Sequence, residues 1–170
     1  MSDKHEFLRF EPVIVQLEPW EYAHAADVGI RRFTANWGKP DAPHYDRTRM
    51  EDDRTAQVAA AVCELAVAKH TNRFWSGHVW HWTEHDTYRN VPDVGKNIEV
   101  RRIRIGKDAA VRKHQVGKGL FLWAAKPFAP EFTAVEMGGW LKYDEAWELG
   151  EPSHYAPDTT RMVSVERMKI

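Results

Sequence analysis

The stretch "EDDRTAQVAAAVCELAVAKH", Glu51 to His70, is the strongest constraint on the fold. It holds no glycine or proline, begins with acids and ends with Lys69 and His70, the polarity a helix dipole favours. A helix is therefore predicted from about Asp52 to His70. The chain beyond it changes character. "RFWSGHVWHW", "NIEVRRIRI", "GLFLWAAK" and "FTAVEMGGWL" are rich in Val, Ile, Phe and Trp and are separated by glycine, proline or charge clusters, which predicts strands.

Upstream, "PVIVQL" (Pro12 to Leu17) reads as a short strand. A second helix opens at Pro19, with Ala23, Ala26, Ile30, Phe33 and Trp37 on one helical stripe. "GKPDAPHYDRTR" reads as a loop, and the tail from Trp147 as mostly loop with a last strand at Met162 to Val165. Strand, helix, helix and then several strands give an α/β or α+β class, a mixed sheet flanked by helices. With 170 residues, 43% of them hydrophobic, the chain suffices for one sizeable core, so a single domain over residues 1–170 is expected.

The 24 basic and 25 acidic side chains nearly cancel, so any basic surface must be local. No run of about 18 apolar residues occurs, and "MSDKHEFLRF" lacks the apolar stretch of a secretory signal. The expectation is a soluble, cytoplasmic protein with no membrane partner. Cys63 is the only cysteine, which excludes an internal disulfide and a cysteine-based zinc cage and suits a small core residue. Eight tryptophans are many for this length. Core filling is the ordinary use of such residues, and stacking on bases or contact with a protein partner are the alternatives.

The segment "PDVGKNIEVRR", Pro92 to Arg102, carries the chemistry. Alternate strand residues share a face, so Glu99 and Arg101 point one way while Ile98 and Val100 point into the core. A turn at "VGKN" would carry Asp93 back alongside Glu99. Two carboxylates so placed suit a hard cation, Mg2+ or Mn2+. Glu64 sits on a small, apolar helix face, where a carboxylate is costly unless paired or liganded, and it is the third candidate ligand.

A helix acid, then Pro-Asp, then acid-x-base on a strand resembles the PD-(D/E)XK nuclease superfamily, the restriction-endonuclease-like fold. More narrowly, "ELAVAKH", "PDVG", "EVR" and the later "GW" at Gly139 and Trp140 look like small proteins encoded by bacteriophages and prophages. The resemblance covers roughly Thr55 to Leu141, with a nuclease-like core over about residues 52–141. It implies metal-dependent cleavage of phosphodiester bonds, with DNA as the favoured partner. Asp93 and Glu99 would be metal ligands and Glu64 a helper, directly or through water. A homodimer would bring two centres to two strands.

One position departs from the pattern: Arg101 stands where the family has lysine. Arginine can clamp a phosphate oxygen but cannot act as a general base. Lys96 and Lys142 are the alternative sources of an ammonium. The basic cluster of Arg101, Arg102, Arg104 and Lys107 is the candidate nucleic-acid contact, for a nuclease or for an inactive binder of nucleic acid or a host protein. His78, His81 and His85 do not converge on a metal if "HVWHW" is a strand. His81 is the histidine singled out for proton transfer.

Overall fold

The computed structural model describes residues 11–40 and 52–170. Most of the loop predicted at "GKPDAPHYDRTR" and the first ten residues lie outside them. The chain is of mixed α/β class. Strand β1 (Val13–Gln16) leads into helix α1 (Pro19–Ala35), and α2 (Asp53–Thr71) follows. A short helix α3 (His85–Tyr88) precedes β2 (Ile98–Arg102) and β3 (Asp108–Arg112). Then come β4 (Phe121–Pro127), β5 (Ala134–Lys142), α4 (Tyr143–Leu149), β6 (Glu151–Pro152) and β7 (Thr160–Ser164).

One sheet has the order β1-β5-β4-β2, in which β2 runs parallel to β4 and the other pairs are antiparallel. The second is an antiparallel sheet of order β3-β7-β6. Both faces of the first sheet are covered. Helix α2 lays Ala59, Val62, Cys63, Ala66 and Val67 against the face bearing Val15, Ile98 and Val100. Leu122, Ala124 and Leu141 on the other face pack with the second sheet and α4 through Val111, Val163 and Tyr143.

Helix α2 is as read from sequence, and its ends show why. Asp52 caps it by accepting a hydrogen bond from the Thr55 N–H at 2.7 Å, and Asn72 stops it in the left-handed conformation at φ 53°. Helix α1 starts at Pro19 as predicted but buries a different stripe: Glu21, Ala25, Val28 and Gly29, while Ala23, Ile30 and Trp37 face outward. The cause is the close approach of α1 and α2 at Gly29. A Cβ there would stand 2.5 Å from Val58 Cα.

Two further expectations are corrected, and one strand is added. "RFWSGHVWHW" makes only a bridge between Trp75 and Val94, then a 3-10 turn at Trp82–Glu84 whose start is capped by His81. β3, "DAAVR", has little intrinsic strand preference and owes its form to pairing with β7. Of the eight tryptophans only Trp75 is buried, because alanines and valines fill the space between α2 and the sheet.

Gly29→Ala forces the two helices apart against backbone atoms. We expect a loss of about 1–3 kcal/mol, the usual cost of overpacking, read by urea denaturation.

Candidate functional site

β2 is an edge strand, and the turn expected at "VGKN" forms beside it. Val94 and Ile98 exchange backbone hydrogen bonds at 3.1 Å, with Gly95 at φ 58°. This returns Asp93 to the free edge, where its Oδ2 accepts the Val100 N–H at 2.8 Å. Val100 directs its side chain into the core under α2, while Glu99 points to the opposite face, and the two carboxyls come within hydrogen-bonding reach across the edge. Burial first, then the charges of Glu64 and Glu99, push the Asp93 carboxyl well above the ordinary range. Burial also raises Glu99, against the pull of Arg101 and the Gln115 amide.

Glu99 is only 4% exposed and is held in place from below. Gln115 Nε2 donates to its Oε2 at 2.7 Å, and Tyr143 Oη donates to Gln115 Oε1 at 2.7 Å. Arg101 also donates to Gln115 Oε1 through Nη2, and through Nε to the Ala110 carbonyl at 3.1 Å. Its Nη1 lies 3.4 Å from the Val100 carbonyl and 3.8 Å from Glu99. Burial works against this cation, yet Tyr143, Asp93 and Glu99 raise its pKa further. Arg101 is thus a countercharge built into the carboxyl site.

Glu64 reaches the site from α2. Arg32 of α1 grips it with two hydrogen bonds, 2.7 and 2.9 Å, and Trp75 Nε1 donates a third at 2.9 Å. Three acceptor positions are therefore used, and the apolar helix face carries Glu64 because it is paired. Glu64 and Asp93 line a cleft of about 250 Å³ together with Arg32, Lys39, His78 and His85. Burial, then Arg32, lowers the pKa of His78.

His81 is engaged instead with Thr83, 2.7 Å from its hydroxyl, and does not line the cleft. Nor do Lys96 and Lys142; the cleft lysine is Lys39, just past α1. The basic cluster is dispersed. Arg102 lies over the Phe132 ring at 5.7 Å, Lys107 pairs with Glu166 at 2.6 Å, and Arg104 is exposed on the connection after β2. Arg32, Lys39, Gln115 and Tyr143 escaped the sequence reading. Only Arg32 left a trace, a cation in register with the stripe of Ala25, Val28 and Gly29 that α1 buries.

The donor set suits a hard cation. Asp93 and Glu99 offer carboxyl oxygens, and Mg2+ is commonly held by one or two carboxylates with water and substrate phosphate. Among the described residues no group of three or more His, Cys, Asp or Glu side chains is arranged to hold a metal ion. Comparison with protein-family models, with curated proteins and with solved structures finds no match to the chain.

Two outcomes follow from this geometry. Arg32→Met strands a buried carboxylate and should cost about 3–5 kcal/mol in urea denaturation, with the Arg32→Met/Glu64→Gln pair less destabilised than the single variant. The raised carboxyls hold protons more tightly folded than unfolded. Their contribution is full below the unfolded pKa and is lost as pH rises through the folded one. Asp93→Asn should therefore raise the melting temperature of the metal-free protein more at neutral than at acid pH. A gain independent of pH would contradict the raised Asp93 carboxyl.

Proposed function

We propose that the protein is a metal-dependent nuclease of PD-(D/E)XK type, phage-encoded and acting on DNA in the host-cell cytoplasm. The nuclease-like core spans about residues 52–141. The observation that carries the reading is the meeting of the Asp93 and Glu99 carboxyls at the edge of β2, with Asp93 in a cleft walled by cations. Carboxyls buried side by side are costly unless they share a proton or a cation.

Asp93 and Glu99 would hold Mg2+ or Mn2+. Bound there, the metal would supply Lewis-acid activation of a phosphate oxygen and of a water. Gln115 and Arg101 fix the Glu99 carboxylate and offset its charge. Arg32 neutralises Glu64, so the cleft keeps one acid turned to the metal rather than two. Lys39 takes the part of the cleft ammonium and binds a phosphate oxygen. His78, whose burial beside Arg32 favours the neutral ring, accepts a proton. A homodimer would present two such centres to the two strands of a duplex.

A second reading is favoured by one feature: Glu64 and Arg101 are both consumed by internal hydrogen bonds. A catalytically inactive member of the same fold, binding nucleic acid or a host protein, would keep such a network for stability alone.

The test is cleavage of supercoiled plasmid with Mg2+ or Mn2+, beside metal binding by calorimetry. The wild type should nick the plasmid only with metal. Glu99→Ala and Asp93→Asn should lose metal binding and about 100-fold or more of the rate, the scale of several kcal/mol of charge stabilisation. Lys39→Ala should slow nicking while metal binding persists. A folded wild type with neither metal binding nor nicking would leave the inactive-binder reading.

A further inference from the structure

A second concave site lies beyond the C-terminal end of α2 and shares no residue with the Asp93 cleft. Its origin is in the strand registers. Phe121 is paired with Lys142 and Trp123 with Trp140, so these four side chains rise from one face of the first sheet. That face is the one α2 covers, but the helix stops at Thr71. The last part of the sheet is left as an aromatic floor.

The cleft over this floor has a volume of about 430 Å³ and is walled by His70, Arg73, Asn97, Phe121, Trp123 and Trp140. That is within the range of small-ligand sites. The rings are braced by their neighbours. Phe121 meets Trp140 edge-on at 5.9 Å, and His70 meets Trp123 in the same way at 5.4 Å. Trp140 is also fixed from the backbone, exchanging hydrogen bonds of 2.8 and 3.0 Å with Lys169, whose ammonium stands 5.0 Å from the indole centroid. Both tryptophans are half-buried, so indole surface is kept at the cleft by packing.

The charges identified at the cleft are cationic. Arg73 forms part of the wall, Lys169 lies over Trp140, Lys142 stands opposite Phe121, and no acid is among the lining residues. Flat π surfaces ringed by cations suit a planar, electron-rich ring joined to an anion. An apolar peptide would find fewer aliphatic contacts and no use for the cations. Stacking of successive bases on aromatic side chains beside a basic track is how single strands are held without sequence readout.

We propose that this cleft binds a nucleobase of single-stranded nucleic acid, stacked on Trp140 and Trp123, with Arg73, Lys142 and Lys169 on its phosphates. The proposal stands without the hydrolytic reading, since stacking requires neither the carboxyls nor a metal.

The probe is fluorescein-labelled oligothymidylate of about 12 nucleotides, within the span of single-strand sites, followed by anisotropy in EDTA so that no cleavage intervenes. Trp140→Ala should weaken binding roughly 5- to 150-fold, the range for loss of one stacked base, while Trp140→Phe retains most of it. Lys142→Ala should flatten the salt dependence by about 0.7 in log–log slope. Trp20→Ala, at an exposed tryptophan on the first turn of α1, should bind as the wild type does. Circular dichroism confirms folding of each variant.

Equal binding by wild type and Trp140→Ala would overturn the proposal, even if plasmid nicking succeeds. So would a wild type that binds no oligonucleotide, and the cleft would then belong to a protein partner. Binding that depends on Trp140 in a protein that never nicks DNA would support the stacking site and refute only the hydrolytic reading.

Discussion

The ion pair between Arg32 and Glu64 joins the parts of the molecule on which the cleft depends. It links α1 to α2, and each partner holds a second element. Arg32 Nε donates to the His78 carbonyl at 3.0 Å, while Glu64 accepts from Trp75. The irregular segment from Trp75 to His78 is thereby fastened to two helices although it belongs to no sheet. Such a pair offsets rather than exceeds the cost of burying its charges. Its contribution is to fix where the helices and that segment meet. Gly29 allows the approach, because any side chain there would meet the backbone of α2.

A second constraint comes from β2 being an edge strand with both faces covered. Its inward residues on one side, Ile98 and Val100, meet α2, and on the other side the covering layer is built by β3, β7 and α4. Glu99 therefore cannot reach solvent directly and has to be solvated by protein groups. Gln115 serves that purpose, and Tyr143 and Arg101 hold Gln115 in turn. The free edge also leaves the Val100 N–H without a strand partner. Asp93 fills that position, so the acid completes a backbone hydrogen bond as well as the carboxyl pair.

Local signals were legible and long-range ones were not. The caps and length of α2, the strands at β2, β4 and β5, and the turn that returns Asp93 to Glu99 all follow from neighbours in sequence. The facing of α1 does not, because a glycine contact with Val58 decides it. The aromatic run "RFWSGHVWHW" has strand composition but, apart from the Trp75–Val94 bridge, no partner, so propensity gave way to the 3-10 turn capped by His81. For the site, the acids could be seen because their spacing is short. Gln115 and Tyr143 lie 16 and 44 residues beyond Glu99 in the sequence numbering, and nothing local distinguishes them.

The arginine at position 101 takes on a different meaning in this setting. Three directions of its guanidinium are engaged, toward the Ala110 carbonyl, the Val100 carbonyl and Gln115, with Glu99 beside it. A lysine ammonium is a single point of donors on a flexible stem and has no fork to match that arrangement. Lysine here could not keep both the Ala110 carbonyl and Gln115, whose Oε1 would then be held by Tyr143 alone, and the Glu99 carboxylate would be less firmly oriented. The arginine is accordingly a positioning residue. Its role in holding Glu99 does not require it to face a substrate, and the cleft draws its accessible positive charge from Lys39 at the end of α1.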